Sequence, residues 1–281
     1  MERTGGEEMR GFKLLVYALL AIVALAYWFP YAWMVLSSFK TTEEILTLPI
    51  RILPRSLYVY NYVFLVTEFP FLNAYINSLV IASLTTILVI FTSTLAGYVL
   101  AKLEFKGRDV LFMLVLAMQM IPFFVTIIPN YKLIASLGLL NTYWAVIIPS
   151  MVSPFGIFLM RQFMLTIPDD LLDAARVDGC TELEVLFRVV FPLCKPAWIV
   201  LGVTTFIASW NDFLWPLLVL RKKEMYTVPL LLNLLGVAAG DPRYYGVLMA
   251  GNTLGTIPTL IIGALAFRRI VEGMRFTGLK M

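Results

Sequence analysis

The side chains that carry most protein chemistry are scarce in this chain. It has no histidine among 281 residues. That removes His-based triads, His metal sites and His proton relays together. Its two cysteines, Cys180 and Cys194, are not spaced like a zinc or redox pair and read as reduced thiols. No G-x-x-x-x-G-K-[ST] run exists to cradle a nucleotide phosphate. No serine stands in a G-x-S-x-G elbow. An enzyme therefore has no candidate machinery here. What remains are polar side chains inside long apolar blocks: Asp212 with its neighbour Asn211, and the amides Gln119, Asn77 and Asn252. A carboxylate at mid-membrane costs on the order of 2.5–3.5 kcal/mol, so it faces a cavity or a partner. Asp212 stands between Trp210 and Trp215, so it reads either as an interfacial carboxylate in an aromatic belt or as a group lining a pathway. Buried amides act as interhelical glue worth ~0.6 kcal/mol, or line the same pathway.

These residues have to be positioned by membrane helices. Hydrophobic residues make up 60% of the chain and charged residues only 14%. About 20 helical residues cross a ~30 Å hydrocarbon layer. Six blocks are long enough: Leu14–Leu36, Leu72–Ala101, Val110–Tyr131, Tyr143–Met164, Ala197–Leu220 and Tyr245–Phe267. The fourth (Pro149, Pro154) and sixth (Gly251, Gly255, Pro258) are expected to be the most broken, which a bundle tolerates. No ~10-residue alternating segments of a β-barrel are visible. The first block is too long for a signal-peptide core and no small-residue cleavage site follows it, so it reads as a retained span. With the N-terminus inside, the larger share of the 22 Lys and Arg residues falls on cytoplasmic segments, and both termini are expected inside. Arg221, Lys222 and Lys223 run against that bias. The expected organisation is a cytoplasmic N-terminus (1–13), one transmembrane domain (14–267) with an inner loop (161–196), and a cytoplasmic tail (268–281). The net charge of +4 fits basic inner loops and gives no reason to invoke nucleic acid. Thr41–Tyr62, apolar and tyrosine-rich, reads as an outer cap on the bundle.

The inner loop has the clearest local code. Pro168 and Asp169 start a helix, with Asp169 or Asp170 complementing its exposed N–H groups and dipole. Gly179 falls where a left-handed helix end is expected. Thr181 and Glu184 have capping-box spacing for a second helix, which Pro192 is expected to stop. On the first helix Leu171, Ala174, Ala175 and Asp178 share a face by i, i+3, i+4, i+7 spacing. The two alanines make that face thin. The pattern itself allows either a close-approaching partner or packing under the helix's own bundle, with Asp173 and Arg176 as a solvated pair.

Asp173-Ala174-Ala175-Arg176-Val177-Asp178-Gly179, followed by Phe187 and Phe191-Pro192, resembles the "EAA" loop of binding-protein-dependent ABC importer permeases. Asp173 stands where that family usually has glutamate, which keeps the charge and shortens its reach by one methylene. The resemblance spans most of the chain. Ser38-Phe39-Lys40, Glu44, Pro49, Pro54 and Asn61-Tyr62 are similar to the first outer loop of carbohydrate-type permeases. Asn77-Ser78-Leu79, Ala96-Gly97-Tyr98 and Phe105-Lys106-Gly107-Arg108 are similar to their second span. Pro122, Pro129, Gly138-Leu139 and Asn141-Thr142 follow the third. Trp210-Asn211-Asp212-Phe213 and Pro216 follow the fifth. Gly246, Met249-Ala250-Gly251 and Pro258, with Gly273 and Gly278, follow the sixth span and tail. The chain is most similar to the shorter, six-span member of the maltose-type pair.

The resemblance implies an all-α, polytopic bundle of about six spans with a cytoplasmic coupling helix-turn-helix. It implies that Leu171, Asp173, Ala174, Ala175, Asp178 and Gly179 couple the bundle to an ATPase. The implied partners are a homologous second permease, an ATPase subunit dimer, an extracytoplasmic solute-binding protein and membrane lipid. The chain itself would hold no cofactor, ATP and Mg belonging to the ATPase subunits. The implied setting is the inner membrane of a prokaryote, and the implied cargo a sugar or sugar-like solute moved by alternating access. The rival is an ion-coupled secondary transporter, which would show midplane ionisable groups and an internal repeat.

Overall fold

The computed structural model describes the backbone of residues 3–238 and 244–277, and the side chains of 12–236 and 244–266. Arg243, Gly278 and the last residues of the tail lie outside these. Every regular element among the described residues is helical. The first helix, α1 (Arg3–Ser38), is followed by two short ones, α2 (Thr42–Leu46) and α3 (Tyr60–Glu68). The second span is one continuous helix, α4 (Phe71–Lys102). The third is α5 (Arg108–Met118) and α6 (Phe123–Ser136), and the fourth α7 (Tyr143–Ser150) and α8 (Pro154–Leu165). The loop helices are α9 (Asp169–Val177), α10 (Glu182–Glu184) and α11 (Phe191–Leu193). Then come α12 (Lys195–Trp210), α13 (Leu214–Val219), α14 (Val228–Ala238) and α15 (Tyr245–Thr277). Three stretches are single helices long and apolar enough to span, and bent pairs bring the total up to six.

The breaks differ from expectation. The sharpest is in the third span, where α5 and α6 meet at 99°, because Pro122 donates no N–H and disfavours helix in the residue before it. The fourth span bends by 46° at Ser150–Pro154. The sixth, expected to be broken, is continuous through Gly251, Gly255 and Pro258. The second loop helix ends at Leu193, one residue past Pro192, and meets α12 at 80°. Val185–Val190 is π-helical, with the Phe191 N–H bonded to the Leu186 carbonyl, and Pro192 sits in the turn after it. A single wide turn of this kind is how helices commonly absorb such a misfit. The helix α14, in the segment before the last span, has no counterpart among the six blocks.

The chain forms two compact units. The first, Met1–Phe69 with Leu232–Gly255, folds Thr41–Tyr62 back onto the end of α1. Asn61 Nδ2 donates to the Ser38 and Lys40 carbonyls, each at 2.8 Å. The Ser38 and Tyr62 hydroxyls bond at 2.6 Å. Lys40 is fully buried; its ammonium donates to the Arg51 carbonyl at 2.6 Å and lies 4.4 Å from the Trp33 ring centre. A buried cation needs such partners. The apolar side chains of α1 are exposed along most of the helix, as for a span that faces lipid or another chain.

The second unit, Pro70–Leu231 with Thr256–Met281, is built around α4. The helix α8 approaches it closely because small residues meet: a side chain at Gly97 would press on Met160, and one at Gly156 would run into Ser93. Such small-residue contacts drive helix association where lipid removes the hydrophobic drive. One core joins Met160 and Met164 of α8 to Leu172, Val185, Leu186 and Leu201. At the other end of the spans Trp215 donates to the Ala145 carbonyl at 2.9 Å. Asn141, left-handed at φ 61°, accepts from the Arg221 and Lys222 amides.

Candidate functional site

The loop between α8 and α12 is held by bonds at both of its ends. At the start of α9, Pro168 gives no side-chain cap. Asp169 binds Lys102 at the end of α4, 2.7 Å away, and Lys102 also donates to the Ile167 carbonyl at 2.6 Å. The Lys102 ammonium beside it holds the Asp169 carboxyl below the usual range. At the end of α9, Arg176 donates to Asp173 at 2.8 Å and to both Glu182 oxygens, at 2.8 and 3.3 Å. The Tyr98 hydroxyl, on α4, donates to Glu182 at 2.5 Å. Hydrogen bonds from Arg176 and then from Tyr98 hold the Glu182 carboxyl low, and the same carboxylates keep Arg176 charged. Tyr98 and Lys102 stand four residues apart on one helix face, so a single end of α4 grips both helices of the loop.

The turn follows its local code. Gly179 has φ +88°. The Cys180 amide donates to the Ala175 carbonyl and the Gly179 amide to Arg176, both at 3.0 Å, which is a Schellman end. The capping box between Thr181 and Glu184 is present in both directions.

The face of α9 differs in one position from expectation. Leu172, 1% exposed, points into the bundle core. Leu171, Ala174 and Asp178 are exposed on the other side, whereas Ala175 is half-buried against that core. Val177, 88% exposed, takes its place on the open face, which is therefore Leu171, Ala174, Val177 and Asp178. Spacing did not separate Ala175 from Ala174, because adjacent residues differ by about 100° around a helix axis and the face boundary falls between them.

A cavity of about 530 Å³ opens where three broken spans converge on α4. Phe123 comes from just after the α5–α6 bend, Ser150 and Ser153 from the α7–α8 bend, and Asp212 from the break between α12 and α13. Thr85 joins from α4, and Thr204 and Ser209 from α12. Irregular backbone at membrane depth is tolerated where it lines such a cavity. Asp212 also has a local task that sequence reasoning missed: it accepts from the Trp215 amide at 3.4 Å, capping α13.

The other polar candidates do not gather there. Asn77 donates to the Glu224 and Tyr226 carbonyls and accepts from the Tyr143 hydroxyl, so it fastens a loop. Asn252 donates back along α15 to the Leu248 carbonyl. Gln119, at the α5–α6 bend, and Asn211 are exposed. Tyr98, Lys102 and Glu182 went unseen because their partners are distant in sequence; only the Tyr98–Lys102 spacing hinted at them.

The described residues thus form a bundle of continuous and broken apolar helices, with a mixed polar and apolar cavity at the breaks and an ordered helix-turn-helix between α8 and α12. Residues 90–275 match the model of the binding-protein-dependent transport system inner membrane component family, and the chain belongs to that family. It is 38% identical over 272 residues to the arabinooligosaccharides transport system permease protein AraQ of Bacillus subtilis, covering 96% of each chain. It is 33% identical to the lactose transport system permease protein LacG of Rhizobium radiobacter, over 93% of this chain and 94% of that one. Its fold is similar to that of a bacterial ABC transporter involved in the import of the acidic polysaccharide alginate, with a TM-score of 0.81 at 24% identity over 95% and 98% of the two chains.

Proposed function

We propose that this chain is a permease subunit of an ATP-binding-cassette importer for a sugar or sugar derivative, and that α9 with its following turn couples it to an ATPase. The single observation that carries the coupling reading is the grip of α4 on the loop through Lys102–Asp169 and Tyr98–Glu182–Arg176, while Leu171, Ala174, Val177 and Asp178 stay open. A push on that open face would be passed to the second span by bonds rather than by a flexible linker. The ATPase subunits supply ATP chemistry. A second permease completes the pathway, and a solute-binding protein delivers cargo. A transporter solved with an alginate pentasaccharide-bound periplasmic protein, similar to this chain with a TM-score of 0.63, supports that last partner. The cargo passes the cavity at the helix breaks as the spans rock between two states. An ion-coupled carrier does not fit membership of a binding-protein-dependent family.

The test is purification of the assembled transporter carrying Gly179→Val or Ala174→Trp. The first forces a β-branched residue into a left-handed turn, at a cost of about 1–2 kcal/mol, and swings the second loop helix. The second thickens the open face without touching the core. Both should leave membrane insertion near normal, reduce the ATPase that co-purifies, and abolish most ATP-dependent sugar uptake. Wild-type ATPase content and uptake in both variants would remove this loop from the coupling path.

A further inference from the structure

The cavity at the helix breaks has a charge character that bears on which sugars it accepts. Among the described residues its lining includes Thr85, Ser150, Ser153, Thr204, Ser209 and Asp212, and no lysine or arginine. Each hydroxyl both donates and accepts, whereas an ionised carboxylate only accepts. The Thr85 hydroxyl is buried and has no partner among the described residues. A hydroxyl so enclosed is not reached from the cavity, so Thr85 contributes wall to it and no hydrogen bond. The volume, about 530 Å³, lies within the range of small-molecule sites. The Phe123 and Phe155 rings add apolar wall.

We propose that this cavity is a binding site for a neutral polyhydroxylated solute, and that Asp212 makes it reject sugars bearing carboxylate, sulfate or phosphate. This rests on the importer reading and deepens it. Sugar hydroxyls donate to the Asp212 carboxylate, a charge-assisted bond that a neutral ring can form. An anionic sugar brings a like charge beside Asp212 with no cation among the described lining residues to offset it, which is selection by repulsion. Asp212 also caps α13, and asparagine caps a helix as well as aspartate does. Asp212→Asn thus removes the charge and keeps the local fold.

The experiment uses the complete transporter in detergent without a solute-binding protein, so that the permease alone chooses. Diazirine-bearing arabinotriose, maltotriose and cellotriose are cross-linked and the modified peptides mapped by mass spectrometry. Each unlabelled parent, or trigalacturonate, serves as competitor. In the wild type, label should fall on peptides carrying Thr85 or Thr204–Asp212. The neutral parent should suppress it at concentrations about tenfold or more below those trigalacturonate needs. In Asp212→Asn that gap should close. The proposal is overturned if none of the three probes labels these peptides, if trigalacturonate competes equally in the wild type, or if the gap survives in Asp212→Asn. ATP-dependent uptake of the same sugars, measured alongside, tells the two readings apart. A complex that transports sugar yet fails the cross-linking test loses this proposal and keeps the importer reading.

Discussion

Leu172 and Val177 lie five residues apart on α9 and do opposite work. Leu172 is 1% exposed and packs with Met160, Met164 and Val185. Its truncation to alanine should cost about 2–5 kcal/mol, because the surrounding helices cannot collapse onto the gap. Thermal unfolding of the purified complex checks this. Val177 is 88% exposed, so Val177→Ser should change stability by less than about 0.5 kcal/mol. If the open face meets the ATPase, the same substitution should still lower ATPase content after purification. Stability and assembly should therefore separate at these two positions. Gly179 belongs to a third kind of residue, one whose value is its backbone. It makes no side-chain contact, yet a side chain there is strained at φ +88° even with open space around it.

At the scale of elements, the loop behaves as an extension of α4. Tyr98→Phe keeps the ring in the core and deletes the hydrogen bond to Glu182, at an expected cost of about 0.5–1.5 kcal/mol. Amide hydrogen exchange should quicken in the loop and not in the spans. The bonds also predict a pH response. Arg176 and Tyr98 hold Glu182 below its ordinary value of 4.5, and Lys102 lowers Asp169. A depressed carboxyl contributes stability that is fully present above its unfolded value and is lost as pH falls through its folded one. The loop should therefore exchange slowly from neutrality down to the ordinary carboxylate range and loosen only below it, once intrinsic exchange rates are corrected for pH. Loosening already at neutral to mildly acidic pH would show that these bonds do not hold it. The contact of α8 with α4 is the other rigid joint. Gly156→Val would place methyls where Ser93 and Leu201 already sit, costing about 1–3 kcal/mol by overpacking, and should lower the yield of folded chain.

For the whole molecule, orientation is the first property to test. Both thiols are free; Cys194 is buried and Cys180 is half-buried. Only Cys180 is thus a useful reporter. If the loop faces the cytoplasm, an impermeant maleimide should label Cys180 in inside-out vesicles and not in intact cells, with Cys194 silent in both until the protein is unfolded. Labelling of Cys180 from outside would invert the topology. The exposed apolar length of α1 is a second whole-molecule property, since such a surface is stable only against lipid or another chain.

Much of this protein follows from local chemistry alone. Spans announce themselves because hydrocarbon demands some twenty apolar residues in a row. The turn at Gly179 and the box at Thr181 are legible because both are settled within a few residues by backbone sterics and short side-chain bonds. What needed the tertiary structure are matters of partnership over distance. Asp169 and Asp170 both stand in the first turn of α9, as expected of acids that complement its dipole, but the bond from Asp169 to Lys102, 67 residues away, was not legible. Ala175 and Ala174 are one residue type on one helix, and only the neighbouring core separates the half-buried from the exposed. Glycines and a proline in α15 do not break it, whereas Pro122 breaks the third span at 99°. Asp212, Ser150 and Phe123 meet at a cavity because three interrupted spans break at one place, and sequence spacing along a single helix holds no record of such a meeting.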